Sequence, residues 1–116
     1  MPSRIYNFTI DARDPSALAR FWCQVLGYDV AYEEPNEVGI EPRGHDDLPA
    51  LVFVPVPEDK TVKNRLHIDL APDDQEAEVA RLEALGARRV DIGQGEASWV
   101  VMADPEGNEF CVLTAR

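Results

Sequence analysis

His67 and Asp69 alternate in "RLHIDL", and Glu109 and Cys111 alternate in "NEFCVL". Residues i and i+2 of a strand share a face, so each pair sets a carboxylate beside a nitrogen or a sulfur. Three chemistries are open to such a set. A thiol next to an imidazole can be activated as a nucleophile. A histidine oriented by a carboxylate can move protons near neutral pH. Thiolate and imidazole together form a soft pair suited to zinc or copper. A catalytic metal generally wants three firm protein ligands and an open position. Only about two can be counted here, because Glu109 is displaced from Cys111 by roughly 6.5–7 Å along the strand. The expectation is therefore a metal-free site with no cofactor, a divalent metal being the alternative. His67 is the candidate catalytic residue; His67, Asp69, Glu109 and Cys111 are candidate ligand-binding residues.

Strands must carry these side chains. Leu66, Ile68 and Leu70 form one apolar face, which leaves His67 and Asp69 on the other. Phe110 and Val112 form a similar pair, leaving Glu109, Cys111 and Leu113 opposite. In "YNFTI" the apolar set is Tyr6, Phe8 and Ile10, so Asn7, Thr9 and Asp11 point the other way. Polar groups from three strands thus face away from the core, and Asn7 and Thr9 join the candidate ligand-binding set. Phe53 and Trp99 lie on strand candidates and suit either the core or the wall of a pocket for a planar ligand. Residues 50–54 are apolar on both faces, so their register is open. His45, among the turn residues and acids of "RGHDDLP", reads as a solvated loop residue, and Cys23 reads as packing at a helix edge.

Residues 4–30 and 65–90 repeat one pattern: a strand, an acidic helix start, a helix stopped at Leu-Gly, and another strand. In the first copy Asp14 can cap the helix and Pro15 sits where its missing N–H costs nothing. Leu18, Phe21, Trp22, Val25 and Leu26 supply the helical stripe, and Gly27 the left-handed stop. In the second, Asp73 and Glu76 have capping-box spacing, Val79, Leu82 and Leu85 make the stripe, and Gly86 ends it. Three strand candidates follow each helix, at residues 28–33, 38–41 and 50–54, then at 88–92, 99–102 and 109–113. Between the last two, "DPEG" has the chemistry of a type I turn. The order is βαβββ, twice. "EPRGHDDLP" reads as a surface loop and "PVPEDKTVKN" as the connection between the halves.

At 116 residues, 45% apolar and 28% charged, the chain has the size and composition of one globular domain. It is expected to span residues 1–116, with modules at about 1–56 and 65–116. Acidic residues outnumber basic ones 22 to 11, a net charge of −11 that repels nucleic acid and anionic membrane surfaces. No apolar run reaches membrane-spanning length and "MPSRIYNFTI" lacks the basic-then-apolar build of a secretion signal, so neither a membrane span nor secretion is expected. Cys23 and Cys111 read as separate reduced thiols, and the expected location is the cytoplasm.

Two βαβββ units, the strand bearing His67 and the hairpin in "WVVMADPEGNEFCVL", together with "FWCQVLGYDV", resemble the vicinal oxygen chelate superfamily, and its glyoxalase-like branch in particular. The superfamily includes glyoxalase I, bleomycin-resistance proteins and extradiol dioxygenases. The resemblance implies an α+β fold of two βαβββ modules forming a cupped mixed sheet with helices on the outer face. It also implies a homodimer and a small organic ligand in the cup. Family enzymes hold a divalent metal at three positions that fall here on Asn7, His67 and Cys111, of which only His67 keeps the usual ligand type. The expected function is metal-free binding of a small molecule. The alternative is a lyase, isomerase or dioxygenase acting on a small metabolite through His67 or through an atypical metal site.

Overall fold

Asp14 and Gly27 bracket the first helix in the computed structural model, which describes residues 2–44 and 47–116. His45, read from sequence as a solvated loop residue, lies outside the described residues. Helix α1 (Pro15–Leu26) begins with the Asp14 carboxylate accepting from the Ala17 N–H at 3.1 Å and stops at Gly27, whose φ is 71°. Helix α2 (Gln75–Leu85) is capped by Asp74, which accepts from the Ala77 N–H. The expected cap, Asp73, stands one residue too early. Among the described residues, no helix is long and apolar enough to cross a membrane.

The chain divides into two compact units, Met1–Asp59 and Lys60–Arg116. In unit one, strands β1 (Asn7–Ala12), β2 (Tyr28–Glu34), β3 (Glu37–Pro42) and β4 (Ala50–Pro55) form a mixed sheet in the order β1-β4-β3-β2. In unit two, β5 (Asp69–Leu70), β6 (Arg88–Arg89), β7 (Val100–Ala103) and β8 (Glu109–Val112) repeat the topology in the order β5-β8-β7-β6. Each unit pairs its first and last strands in parallel and the others antiparallel. The fold is α+β, built from two βαβββ modules.

Alternation sets the two faces of the first sheet. Val38, Ile40, Leu51 and Phe53 are buried with the α1 residues Leu18, Phe21, Trp22 and Val25, and the Phe21 and Trp22 rings meet edge to face at 5.3 Å. Burying a side chain the size of Phe53 contributes about 2–3 kcal/mol. In the second unit Val79, Leu82, Met102, Phe110 and Val112 are buried. Two residues expected in the apolar set are instead exposed: Tyr6 at 77% and Leu66 at 72%. Both precede the first ladder residue of their strand, so no cross-strand bonding fixes which way they point.

The β7–β8 hairpin turns on Asp104, whose side chain is buried. Its carboxylate accepts from the Glu106 and Asn108 backbone N–H groups at 2.9 and 3.0 Å and from the Asn108 amide at 2.9 Å. Gly107, at φ 90°, closes the turn by donating to the Asp104 carbonyl. Asp104→Ala leaves these half-buried donors without their acceptor. We expect a loss of about 2–3 kcal/mol, seen as a lower urea midpoint at unchanged slope. A midpoint equal to wild type would show that the turn does not depend on this carboxylate.

Candidate functional site

On the open face of the first sheet, the register aligns one row of residues across all four strands. Thr9 pairs with Val52, Val52 with Gly39, and Gly39 with Tyr32. The middle of this row is small, and the end is aromatic. A register shift between Val30 and Tyr32 leaves Ala31 without a partner, and this bulge puts both Ala31 and Tyr32 on the wall of a cavity of about 1360 Å³. The Tyr32 ring lies against Gly39, where any Cβ would collide with it. Its hydroxyl donates to the Glu37 carboxylate, which pushes the phenol up to about 12. Tyr32 therefore stays protonated and anchored across the physiological range.

Asn7, Thr9, Ala50 and Val52 also line this cavity, and the Asn7 amide donates to the Thr9 hydroxyl at 3.1 Å. Among the described residues, Glu37, Glu41 and Asp47 line it as well, against one guanidinium, Arg4. Phe53, expected as a possible wall, is fully buried. The parity of β4 turns Ala50 and Val52 to the cavity and Leu51 and Phe53 to the core. Tyr32 was missed from sequence because a bulge breaks the period-two pattern by which strand faces are read. The Tyr-opposite-Gly pairing was the available signal.

The second cluster belongs to unit two. Asp69 on β5 and Cys111 on β8 are register partners, and the Cys111 N–H donates to the Ile68 carbonyl at 2.9 Å. His67, two residues before Asp69, brings its Nδ1 to 3.4 Å from Asp69 Oδ1 and 3.9 Å from Cys111 Sγ. One ligand atom from each of the three residues lies within 4.8 Å of the others. The His67 and Asp69 side chains are 36% and 51% exposed, whereas Cys111 is buried. Burial pushes the Cys111 thiol up, and the adjacent Asp69 carboxylate adds to this, with Lys63 acting weakly the other way. A nucleophilic cysteine wants the opposite surroundings.

Glu109 is engaged elsewhere. Its carboxylate accepts from the Asn64 N–H at 2.9 Å and pairs with the Lys60 ammonium at 2.9 Å. It holds the segment that opens unit two. Trp99 stands just ahead of β7 and is 42% exposed. The third donor beside His67 and Cys111 is thus Asp69, read from sequence as a candidate ligand-binding residue and a carboxylate partner of His67 but not as a metal ligand. Its role depends on the β5–β8 register, which no single strand encodes. The donor set of one thiol, one imidazole and one carboxylate fits zinc and fits the harder manganese poorly.

A family model described as a glyoxalase-like domain matches residues 7–113. The fold is shared by a glyoxalase/bleomycin resistance protein/dioxygenase family enzyme from Burkholderia phytofirmans PsJN, at TM-score 0.71 and 20% identity over 95% of this chain and 97% of that one. It is also shared by TnmS3, an antibiotic binding protein from Streptomyces sp. CB03234, at TM-score 0.67 and 21% identity over 99% and 98% of the two chains. A third is the fosfomycin resistance protein FosX from Listeria monocytogenes, complexed with Mn(II) and sulfate, at TM-score 0.71 and 16% identity over 100% and 93%. Among curated proteins, no sequence matches the chain.

The Glu109 contacts carry a pH signature. Burial raises this carboxyl, but the Asn64 N–H and the Lys60 ammonium more than offset it, so the group titrates below its ordinary 4.5. The stabilisation is complete above the unfolded-state value and is lost as pH falls through the lower folded value. Glu109→Gln should cost about 1 kcal/mol at neutral pH. In urea melts the gap to wild type should narrow as pH falls below the ordinary carboxylate range, through the lower folded value. A gap that stays constant on acidification would rule out the ionic account.

Proposed function

Because the chain belongs to the glyoxalase-like domain family, we propose that it binds a small planar organic molecule in the unit-one cavity, without turnover and without need of a metal. The observation that carries this reading is the Thr9–Val52–Gly39–Tyr32 row. It combines a shallow floor, a fixed aromatic face and the neutral hydrogen-bonding groups of Asn7 and Thr9. Offset stacking on an anchored ring contributes about 0.5–1.5 kcal/mol beyond burial, and the ring loses little freedom because Glu37 already holds it. Among the described lining residues, three carboxylates against one guanidinium favour a neutral or cationic ligand over an anionic one. That a neighbour of this fold is an antibiotic binding protein supports the binding reading.

The test uses planar aromatic probes, with anthraquinone as the neutral member and proflavine as the cationic one, followed by calorimetry and thermal shift on the full chain. One-to-one binding that EDTA leaves unchanged is expected, weakened roughly tenfold by Tyr32→Ala. Gly39→Ala should weaken it as well, by displacing the ring. No binding across the panel, or binding indifferent to Tyr32, defeats the reading.

The same reading has the protein act as a homodimer in the cytoplasm. Ile5, Tyr6, Val62 and Leu66 are large apolar side chains, each at least 65% exposed, that a second copy would cover. Light scattering on the purified chain should give twice the mass of one chain. A monomer at micromolar concentration removes this part of the proposal.

A further inference from the structure

The His67, Asp69 and Cys111 donors can be measured against what different metals require. In a tetrahedral zinc site with bonds of about 2.05 Å to nitrogen, 2.1 Å to oxygen and 2.3 Å to sulfur, the N···O and N···S edges are about 3.4 and 3.6 Å. The corresponding separations are 3.4 Å from His67 Nδ1 to Asp69 Oδ1 and 3.9 Å from His67 Nδ1 to Cys111 Sγ. One edge is already formed and the second needs a few tenths of an ångström of side-chain adjustment, while the third, from Asp69 to Cys111, lies within 4.8 Å against about 3.6 Å in the ideal site and closes by rotation of the exposed Asp69 side chain. An octahedral site for a hard ion, with bonds near 2.1 Å, has edges of about 3.0 Å and prefers oxygen throughout. Donor type selects zinc, and the His67–Asp69 edge has its length.

We propose that His67, Asp69 and Cys111 form a zinc site contained wholly within unit two, with the fourth position open to water or a small ligand. This donor set differs from the one implied by the family resemblance, because Asp69 is its third member and Asn7 has no part in it. Two backbone features hold it in place. Asp69 and Cys111 are register partners on adjacent strands, and the Cys111 N–H to Ile68 carbonyl bond fixes the strand between the two donors from β5. Cys111 sits at the base of the cluster, while the half-exposed His67 and Asp69 side chains give an ion its way in. Lys63, the positive group acting on Cys111, is exposed, so solvent screens its repulsion of an incoming cation. The site goes beyond the binding function proposed for unit one and does not depend on it.

Cobalt(II) is the probe, because its spectrum reports both geometry and sulfur ligation. The full chain, purified without a histidine tag and stripped with EDTA, is titrated with cobalt. It should bind one equivalent, with a thiolate-to-cobalt charge-transfer band in the near ultraviolet and the intense visible bands of tetrahedral coordination. Zinc should displace the cobalt and raise the melting temperature, and manganese should do neither. Cys111→Ser should abolish the charge-transfer band. Asp69→Asn, at a half-exposed position where folding is not at risk, should weaken cobalt binding at least tenfold with an unchanged circular dichroism spectrum. The pale spectrum of octahedral cobalt without a charge-transfer band overturns the proposal, as does affinity unchanged in Asp69→Asn or manganese matching zinc. Proflavine binding, measured on the same samples, keeps the fate of this site separate from that of the unit-one cavity.

Discussion

In each half of the chain, the first strand pairs in parallel with the last, and what can meet on a sheet face follows from that pairing. A parallel pair cannot be closed by a tight turn, so a long crossover must intervene. Here the crossover carries a helix and two further strands. Residues distant in sequence become neighbours because the register is fixed along the pair: Thr9 lies beside Val52, and Asp69 beside Cys111. A slip of one residue would send Cys111 to the core side and Val112 to the open side. Val112 and Phe110 are among the most buried side chains in the unit, so the core resists that slip.

The surroundings of Cys111 decide between the chemistries that its residue type allows. A thiol serves as a nucleophile when positive groups favour its thiolate, yet here burial and a carboxylate neighbour both hold it protonated. A bound cation inverts that balance, because its charge is larger than any other in the cluster. The features that make the cysteine a poor nucleophile, a nearby anion and a partly dry setting, are the ones a metal can use.

Much of the scaffold was legible in the sequence. The repeat stood out because Leu-Gly ends both helices, and the hairpin turn because Asp, Pro and Gly sit at the positions a type I turn favours. The facing of Phe110 and Val112 against Cys111 followed from alternation within one strand. Other features lay beyond it. Tyr32 reaches the cavity through a bulge, and the burial of Phe53 was undetermined because its strand is apolar on both faces. Tyr6 and Leu66 fit the alternating pattern but stand outside the ladders that enforce it. Asp69 as a third donor required knowing which residue of β8 it faces.

The repeat extends to the functional faces. By position in the repeated strands, Asn7 corresponds to His67, Thr9 to Asp69, and Val52 to Cys111, since Thr9 pairs with Val52 as Asp69 pairs with Cys111. The side chains two apart on the first strand touch in both units, by the 3.1 Å Asn7–Thr9 hydrogen bond in one and the 3.4 Å His67–Asp69 pair in the other. One backbone arrangement thus presents two different surfaces. An amide, a hydroxyl and an isopropyl group give a neutral floor on which a planar molecule can lie. An imidazole, a carboxylate and a thiol at the matching places give donors with a charge to be met. The difference between the two faces comes from three side-chain identities, because the strand order and the parallel pairing are the same in both.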